Sequence, residues 1–455
     1  MLKPLVLKNG LTVLRFPKTS SNAFLCGFVV RTGSAVEPTN FPRGISYLIE
    51  KLFWCGTDRY PSRRILNTLI EGMGSSFYSF TGLHFTSFYL TSPFYHQKQA
   101  MSVLAEIIQH SYFDSKDIEK QKKQIIEKIK NLEDSFDQES YQLSLNNLYG
   151  ETGLGLPVYG SIESIIAISQ RDIREYLAKQ YQPSRSYLIL AGNFDNKGIL
   201  QAADQYWSMW QPKTQPSVDF VEPNFDELGS FPRVLYKQRG IPTTHLVVSF
   251  VLDRGLCPPE TAQNSPLESK TEVEVGKILD KHLTQTAILL LLNTVLGTGM
   301  SSRLWTKGVE EEMFFEKIQS EVIQFNQTGF LRIYGETENS QFTFALESVL
   351  AVLEALKKTT MSINELNKAK EQLKGNLLLQ QESLFNWVNW QVKNILASGL
   401  NFELENLLYK IDEINTTDIR DFANSLFTLD RLFITTLGTA KQTKLVEKLI
   451  NKFLN

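Results

Sequence analysis

The residue types able to do chemistry in this 455-residue chain are few and mostly unpaired. A helix brings two imidazoles to one metal at HxxxH or HxxEH spacing. His84, His96, His110, His245 and His282 form no such pair, so each reads as a surface or packed histidine. A metal site would have to be assembled from residues distant in sequence. Cys26, Cys55 and Cys257 lie far apart without a CxxC, as expected of reduced thiols in a cytoplasmic protein and not of a disulfide framework. The run Gly297-Thr-Gly299-Met-Ser-Ser302 has the glycines of a phosphate loop but no Gly-Lys-Ser/Thr ending, so it reads as a flexible loop. Glu50 beside Lys51 admits three readings: a catalytic base next to a cation, a solvated ion pair of little worth, or, between them, a lysine (Lys51 or Lys128) that neutralises an acidic pocket.

The elements that must position these groups follow from periodicity. Residues 44–53 carry Ile45, Leu48, Ile49, Leu52 and Phe53 on one side of a helix, with Glu50 and Lys51 between them. Before it, 5–16 reads as a hairpin about Asn9-Gly10, a type I′ turn signal, and 24–31 as a strand. A second helix over 64–71 ends at Gly72 and Gly74, and the Phe, Tyr and Thr of 77–90 suit paired strands. Helices follow over 98–110, 117–133, with a continuation at 141–148, and 169–180, capped by Ser169; 187–191 is a strand. The second half reads as strands at 233–236, 244–252, 330–334 and 431–436, with helices at 284–296, 341–357, 363–380 and 417–425. Tyr187–Gly192 and Leu432–Gly438 each follow a helix of the same opening pattern, which points to two homologous α+β halves, 1–220 and 231–455. Pro, Glu and Asp accumulate over 214–230, the expected linker, and 255–277 reads as a polar surface loop.

Composition sets outer limits. Length alone suggests about three domains or two larger ones. Net charge is −2, which gives no reason to expect nucleic acid or an anionic membrane as partner. The apolar run Ala287–Leu292 is far below the ~18 residues of a membrane span, and the first 17 residues lack a secretory signal's apolar core.

Several segments in order resemble the pitrilysin/insulinase metallopeptidases, in the processing-peptidase branch. Gly44-Ile-Ser-Tyr-Leu-Ile-Glu-Lys-Leu-Phe-Trp-Cys-Gly-Thr57 resembles their signature helix, where His-x-x-Glu-His lies between a glycine and Gly-Thr. Arg31–Glu37, Ile70–Ser75, Tyr159–Ser164, Tyr181–Ser184, Leu296–Leu304 and Lys368–Lys374 also resemble family segments. The resemblance implies an α+β clamshell of two halves, each a mostly antiparallel sheet with helices packed on one face. It implies that Glu50 stands where the water-activating base stands, and that Tyr47 and Lys51 replace the two histidines. For the third ligand, the seven-residue acidic spacing falls on Gln121 and Lys128, while a slide of one offers Glu127. A phenol with pKa ~10 and an ammonium without a lone pair are poor ligands, so zinc is expected to be absent and no cofactor is expected. Tyr78-Ser79 takes the place of the family's substrate-gripping Asn-Ala on the edge strand, and Val309 and Glu316 take the places of its Arg and Tyr. The resemblance implies a non-catalytic subunit that pairs with a zinc-bearing paralogue and receives an extended peptide. A scaffold protein without a peptide role, such as a homodimer, and an active peptidase with unusual ligands are the alternatives.

Overall fold

The computed structural model describes residues 2–211, 234–253, 272–325, 328–398, 403–439 and 443–454. The expected linker at 214–230, most of the expected polar loop at 255–277, and Cys257 lie outside them. Residues 272–277 open a long helix.

Seven consecutive buried residues over 24–30 make a strand covered on both faces, and this strand is central. The first sheet runs β1 (Leu2–Val6), β2 (Thr12–Pro17), β6 (Ser186–Gly192), β3 (Ala23–Val30), β5 (Thr86–Pro93), β4 (Ser76–Thr81), and only β2 and β6 pair in parallel. Gly27 in β3 is required by its neighbour: a Cβ there would come within 2.4 Å of the Tyr89 ring. The second sheet runs β7 (Val234–Gln238), β11 (Leu432–Gly438), β8 (Thr243–Val251), β10 (Gly329–Glu338), β9 (Lys317–Gln324), with β7 and β11 parallel. Removing β1 from the first sheet leaves the same order and the same single parallel pair. The two halves thus repeat one topology, as the matching helix–strand endings imply.

The hairpin turn is wider than the two-residue form expected at Asn9-Gly10. Gly10 adopts φ +92° and donates to Leu7 O, and Leu7 N–H donates to Leu11 O. Asn9 serves both sides: its Oδ1 accepts from Leu11 N–H at 3.2 Å within the turn, and its amide donates to Trp207 O at 2.7 Å and Trp210 O at 2.9 Å, which ties the hairpin to the end of α8 (Asn196–Trp207).

Packing divides the chain into two compact units that exchange two short segments relative to the expected halves. Among the described residues, the first unit takes 2–134, 151–211 and Ser383–Val388; the second takes Ser135–Gly150 and the remainder. In the first unit, one sheet face buries Phe24, Cys26, Phe28 and Val30 against helices that include α1 (Ile45–Leu52) and α3 (Gln97–His110). Residues Ser383–Val388 cover Tyr89 and Phe16 through Phe385 and Trp387. In the second unit, Leu246, Val248 and Phe250 face the core that holds α9 (Glu272–Gly297), and α5 (Phe136–Tyr149) packs on β11, β8 and β7. Asn147 of α5 donates to Ile434 O and Thr435 Oγ1, both at 3.1 Å. No described helix is long and apolar enough to cross a membrane.

Candidate functional site

The entry to α1 is built from three of the segments singled out in the sequence. Gly44 N-caps α1 in the left-handed region at φ +86°, and a Cβ there would meet Tyr159 O at 2.5 Å. The buried carboxyl of Glu37 accepts from Gly44 N–H and Ser46 N–H, each at 2.9 Å, at the positive end of the helix, while burial pushes its pKa up to about 7 against the pull of Arg43 and these bonds. Ser164 Oγ, in α6 (Ile162–Ala167), holds Arg43 O at 2.9 Å. The start of α1 is therefore fixed from both sides, and with it the rotation of the helix.

That rotation turns Glu50 into the protein. It is 1% exposed, and three donors reach it: Lys51 Nζ at 2.7 Å, Ser79 Oγ at 2.5 Å and Thr81 Oγ1 at 2.9 Å. Ser79 and Thr81 lie on the same face of β4 as Phe77, which stacks on Trp54 with centroids 3.6 Å apart. Tyr78 points to the other face, half exposed, with its ring edge-on to Phe385. The reading of Tyr78 and Ser79 as a substrate pair thus divides: Ser79 serves Glu50 and Tyr78 faces away from it. The edge of β4 opposite β5 is unpaired among the described residues.

Helix α4 (Ser115–Glu133) packs against α1 and supplies the next group. Lys128 Nζ donates to Tyr47 Oη at 2.6 Å. Lys51 Nζ and Lys128 Nζ stand 4.9 and 5.0 Å from the centroid of the Tyr47 ring, two cation–π contacts on one phenol. Gln121 lies two turns earlier on α4, buried beside Cys55, in the lining of a cavity of about 750 Å³ that includes Arg63, Lys116 and Lys120. It does not join the Glu50 cluster. Glu127 and Lys128 are both exposed, about 100° apart around the helix, and it is the long Lys128 side chain that reaches Tyr47.

Tyr47, Glu50, Lys51 and Lys128 therefore meet, and Thr81 joins them without having been singled out in the sequence. Its signal was only its place two residues after Ser79 on a strand. The set is a poor match to zinc. Two ammonium ions and one carboxylate already sum to +1, and three of the carboxylate's roughly four acceptor sites are taken by donors. A dication about 4 Å from an ammonium is opposed by about 8 kcal/mol at an effective dielectric of ~20. The residues present do not fit the metal, and no hydrolytic step is derived through it.

The remaining candidates lie in the second unit. Gly297 ends α9, and a Cβ there would meet Ser320 N at 2.4 Å. The glycine-rich run is a braced turn, not a loose loop. Gly299 has φ +86°, Ser302 Oγ donates to Gly299 O at 2.7 Å, and Gln372 Nε2 donates to Thr298 O at 2.8 Å. Val309 is partly buried in the core within a π-helical stretch, Thr306–Glu311, and Glu316 is exposed in the bend before β9. Neither makes a pair resembling an Arg/Tyr grip.

Two family descriptions match this chain: the insulinase peptidase family M16 over residues 13–161, and the peptidase M16 inactive domain over 167–373. The chain belongs to the insulinase (M16) peptidase family. The M16 relatives include the uncharacterized zinc protease YmxG of Bacillus subtilis, 27% identical over 94% of this chain and 97% of its own. The mitochondrial-processing peptidase subunit beta of Saccharomyces cerevisiae is 25% identical, covering 92% of this chain and 87% of the relative. Among solved structures, a protease from Helicobacter pylori superposes with TM-score 0.80 at 17% identity over 96% of this chain and 98% of its own. A peptidase M16 inactive domain from Pseudomonas fluorescens gives TM-score 0.80 at 18% identity, again over 96% and 98%. At these identities the structural likeness establishes the fold, and the M16 assignment rests on the sequence matches.

Proposed function

We propose that this M16 chain is a non-catalytic subunit that pairs with a zinc-bearing paralogue in binding or processing extended peptides, in the cytoplasm. The observation that carries this reading is the contact of Lys128 Nζ with Tyr47 Oη at 2.6 Å beside the Lys51–Glu50 pair at 2.7 Å. These contacts fill with cations the place where the family resemblance puts zinc. A catalytic zinc needs about three protein ligands, and Glu50 is the single carboxylate in the cluster. Pairing is supported by the yeast relative, which is named as one subunit of a peptidase. The unpaired edge of β4 suits an extended peptide, since added strands are held by main-chain hydrogen bonds whatever the side chains.

The test is co-expression with an M16 paralogue from the same genome that carries an intact His-x-x-Glu-His. The reading expects co-elution in size exclusion and peptide cleavage by the pair that the paralogue alone does not reach. Separate elution with unchanged activity of the paralogue would remove the pairing and leave a scaffold role.

A further inference from the structure

A second cluster lies on the sheet of the second unit and includes His245, which by its sequence reads as a surface or packed histidine. His245 on β8 stands directly opposite Glu336 on β10 in the strand register, and Asp137 enters from the first turn of α5. One ligand atom from each of the three lies within 4.8 Å of those of the other two. All three belong to the same compact unit.

The hydrogen bonds fix how the imidazole is used. Tyr334 Oη donates to Asp137 Oδ1, so its oxygen is left to accept. His245 Nδ1 is 3.1 Å from that oxygen and 3.4 Å from Asp137 Oδ1. The consistent assignment puts the proton on Nδ1, donating to Tyr334, and leaves a lone pair on Nε2. His245 is only 3% exposed, and its Nε2 has no hydrogen-bond partner among the described residues. Facing it is Glu336 Oε1 at 4.0 Å, which itself accepts from Thr243 Oγ1 at 2.8 Å. A lone pair aimed at a carboxylate across 4.0 Å is too long for a hydrogen bond and repulsive unless a cation lies between. At the tetrahedral angle two zinc bonds of ~2.0–2.2 Å place their ligand atoms about 3.4 Å apart, so the partly exposed Glu336 side chain would close by a fraction of an ångström on an ion held between them.

We propose that His245 Nε2 and Glu336 bind a divalent transition cation of the zinc type, with Asp137, whose Oδ1 rests at the Nδ1 edge of the ring, joining them by a turn of its exposed side chain. Two carboxylates balance the charge of the dication and the imidazole selects a borderline metal over magnesium or calcium. Tyr334 acts behind the ligands: it holds the tautomer of His245 and orients Asp137, the usual role of a hydrogen-bonding partner behind a metal site. The Phe136 ring packs on the imidazole at 5.8 Å. Arg332, the cation beside Tyr334, is paired with Glu321 and stacked on Tyr141 at 4.4 Å, so it is directed elsewhere. The Asp137 side chain is 59% exposed and gives the ion a way in.

The test uses the full chain, stripped with chelator and titrated with ZnCl₂ by calorimetry. One equivalent is expected to bind, and Asp137→Asn and Glu336→Gln are each expected to weaken it at least ~10-fold. These two positions are chosen because neither side chain is buried; His245→Ala is the third variant and is interpreted only if its circular dichroism is native. No uptake by the wild type, or uptake unchanged in both D137N and E336Q, would overturn the site. Uptake abolished by Glu50→Gln but not by E336Q would overturn it too, and would also contradict the zinc-free reading of the α1 cluster. Uptake abolished by E336Q and untouched by E50Q supports both.

Discussion

Replacing Lys51 by Met is the sharpest probe of the Glu50 cluster. Removing one member of a buried ion pair costs about 3–5 kcal/mol, because the partner charge stays behind without compensation. Here the loss is smaller for two structural reasons. Ser79 and Thr81 keep donating to Glu50, and the Lys51 side chain is 32% exposed, so part of its charge was already screened. Together these bring the expected cost of K51M to about 2–3 kcal/mol. Glu50→Gln keeps an acceptor for the two hydroxyls and frees Lys51 to turn to water, so about 1 kcal/mol is expected. The double variant has neither a stranded charge nor a pair, and should be destabilised by only about 1–2 kcal/mol, giving a coupling energy near 2 kcal/mol. Urea unfolding of the four proteins, read as midpoint shifts at constant m, measures the cycle. If K51M costs under about 0.5 kcal/mol and the two substitutions are additive, the pair is an ordinary surface contact and the reasoning about a cation-filled pocket is wrong.

Two further outcomes test the packing. Asn9→Ala removes both bonds to the carbonyls of Trp207 and Trp210; a loss of about 1–3 kcal/mol is expected, with faster hydrogen exchange at the C-terminal end of α8. Exchange there matching the wild type would mean the hairpin does not hold that helix. Glu139 on α5 pairs with Lys237 at 2.6 Å and Arg239 at 2.7 Å. Burial alone would raise its carboxyl pKa, but the two cations outweigh burial and hold it below the ordinary value. Its contribution is therefore complete above the unfolded carboxylate pKa and is lost as pH falls through the lowered folded value. Glu139→Gln should cost about 1–2 kcal/mol at neutral pH and flatten the stability profile below pH ~4.3. An unchanged acid profile would contradict the assignment.

Much of the fold could be read from residue order, and the failures have physical causes. The α1 helix, the strand pairs 76–81 with 86–93, and the capping box at Ser169 follow from period and cap chemistry, which are local. β9 was missed because Lys317–Gln324 is an edge strand whose half-exposed pattern carries little apolar signal. Asn9-Gly10 locates the turn but not its width, and the Asn9 amide also bonds outside the hairpin, which no local signal shows. The destination of α5 was invisible, since helical period says which face is buried and not which sheet buries it. The choice between Glu127 and Lys128 was decidable in principle. Seven residues are nearly two whole turns and six are not, so once α4 lies on α1 Lys128 must face Tyr47. The grouping of Asp137, His245 and Glu336 joins residues about 90 to 200 positions apart, and no spacing rule reaches that far.

The central claim concerns chemistry at Glu50, and peptide hydrolysis measures it most directly. The purified chain, supplied with zinc, is incubated with an unfolded reporter peptide with and without chelator, beside its E50Q variant. The account predicts that cleavage stays at background in all four samples. Turnover by the wild-type chain that both chelator and E50Q abolish would contradict it.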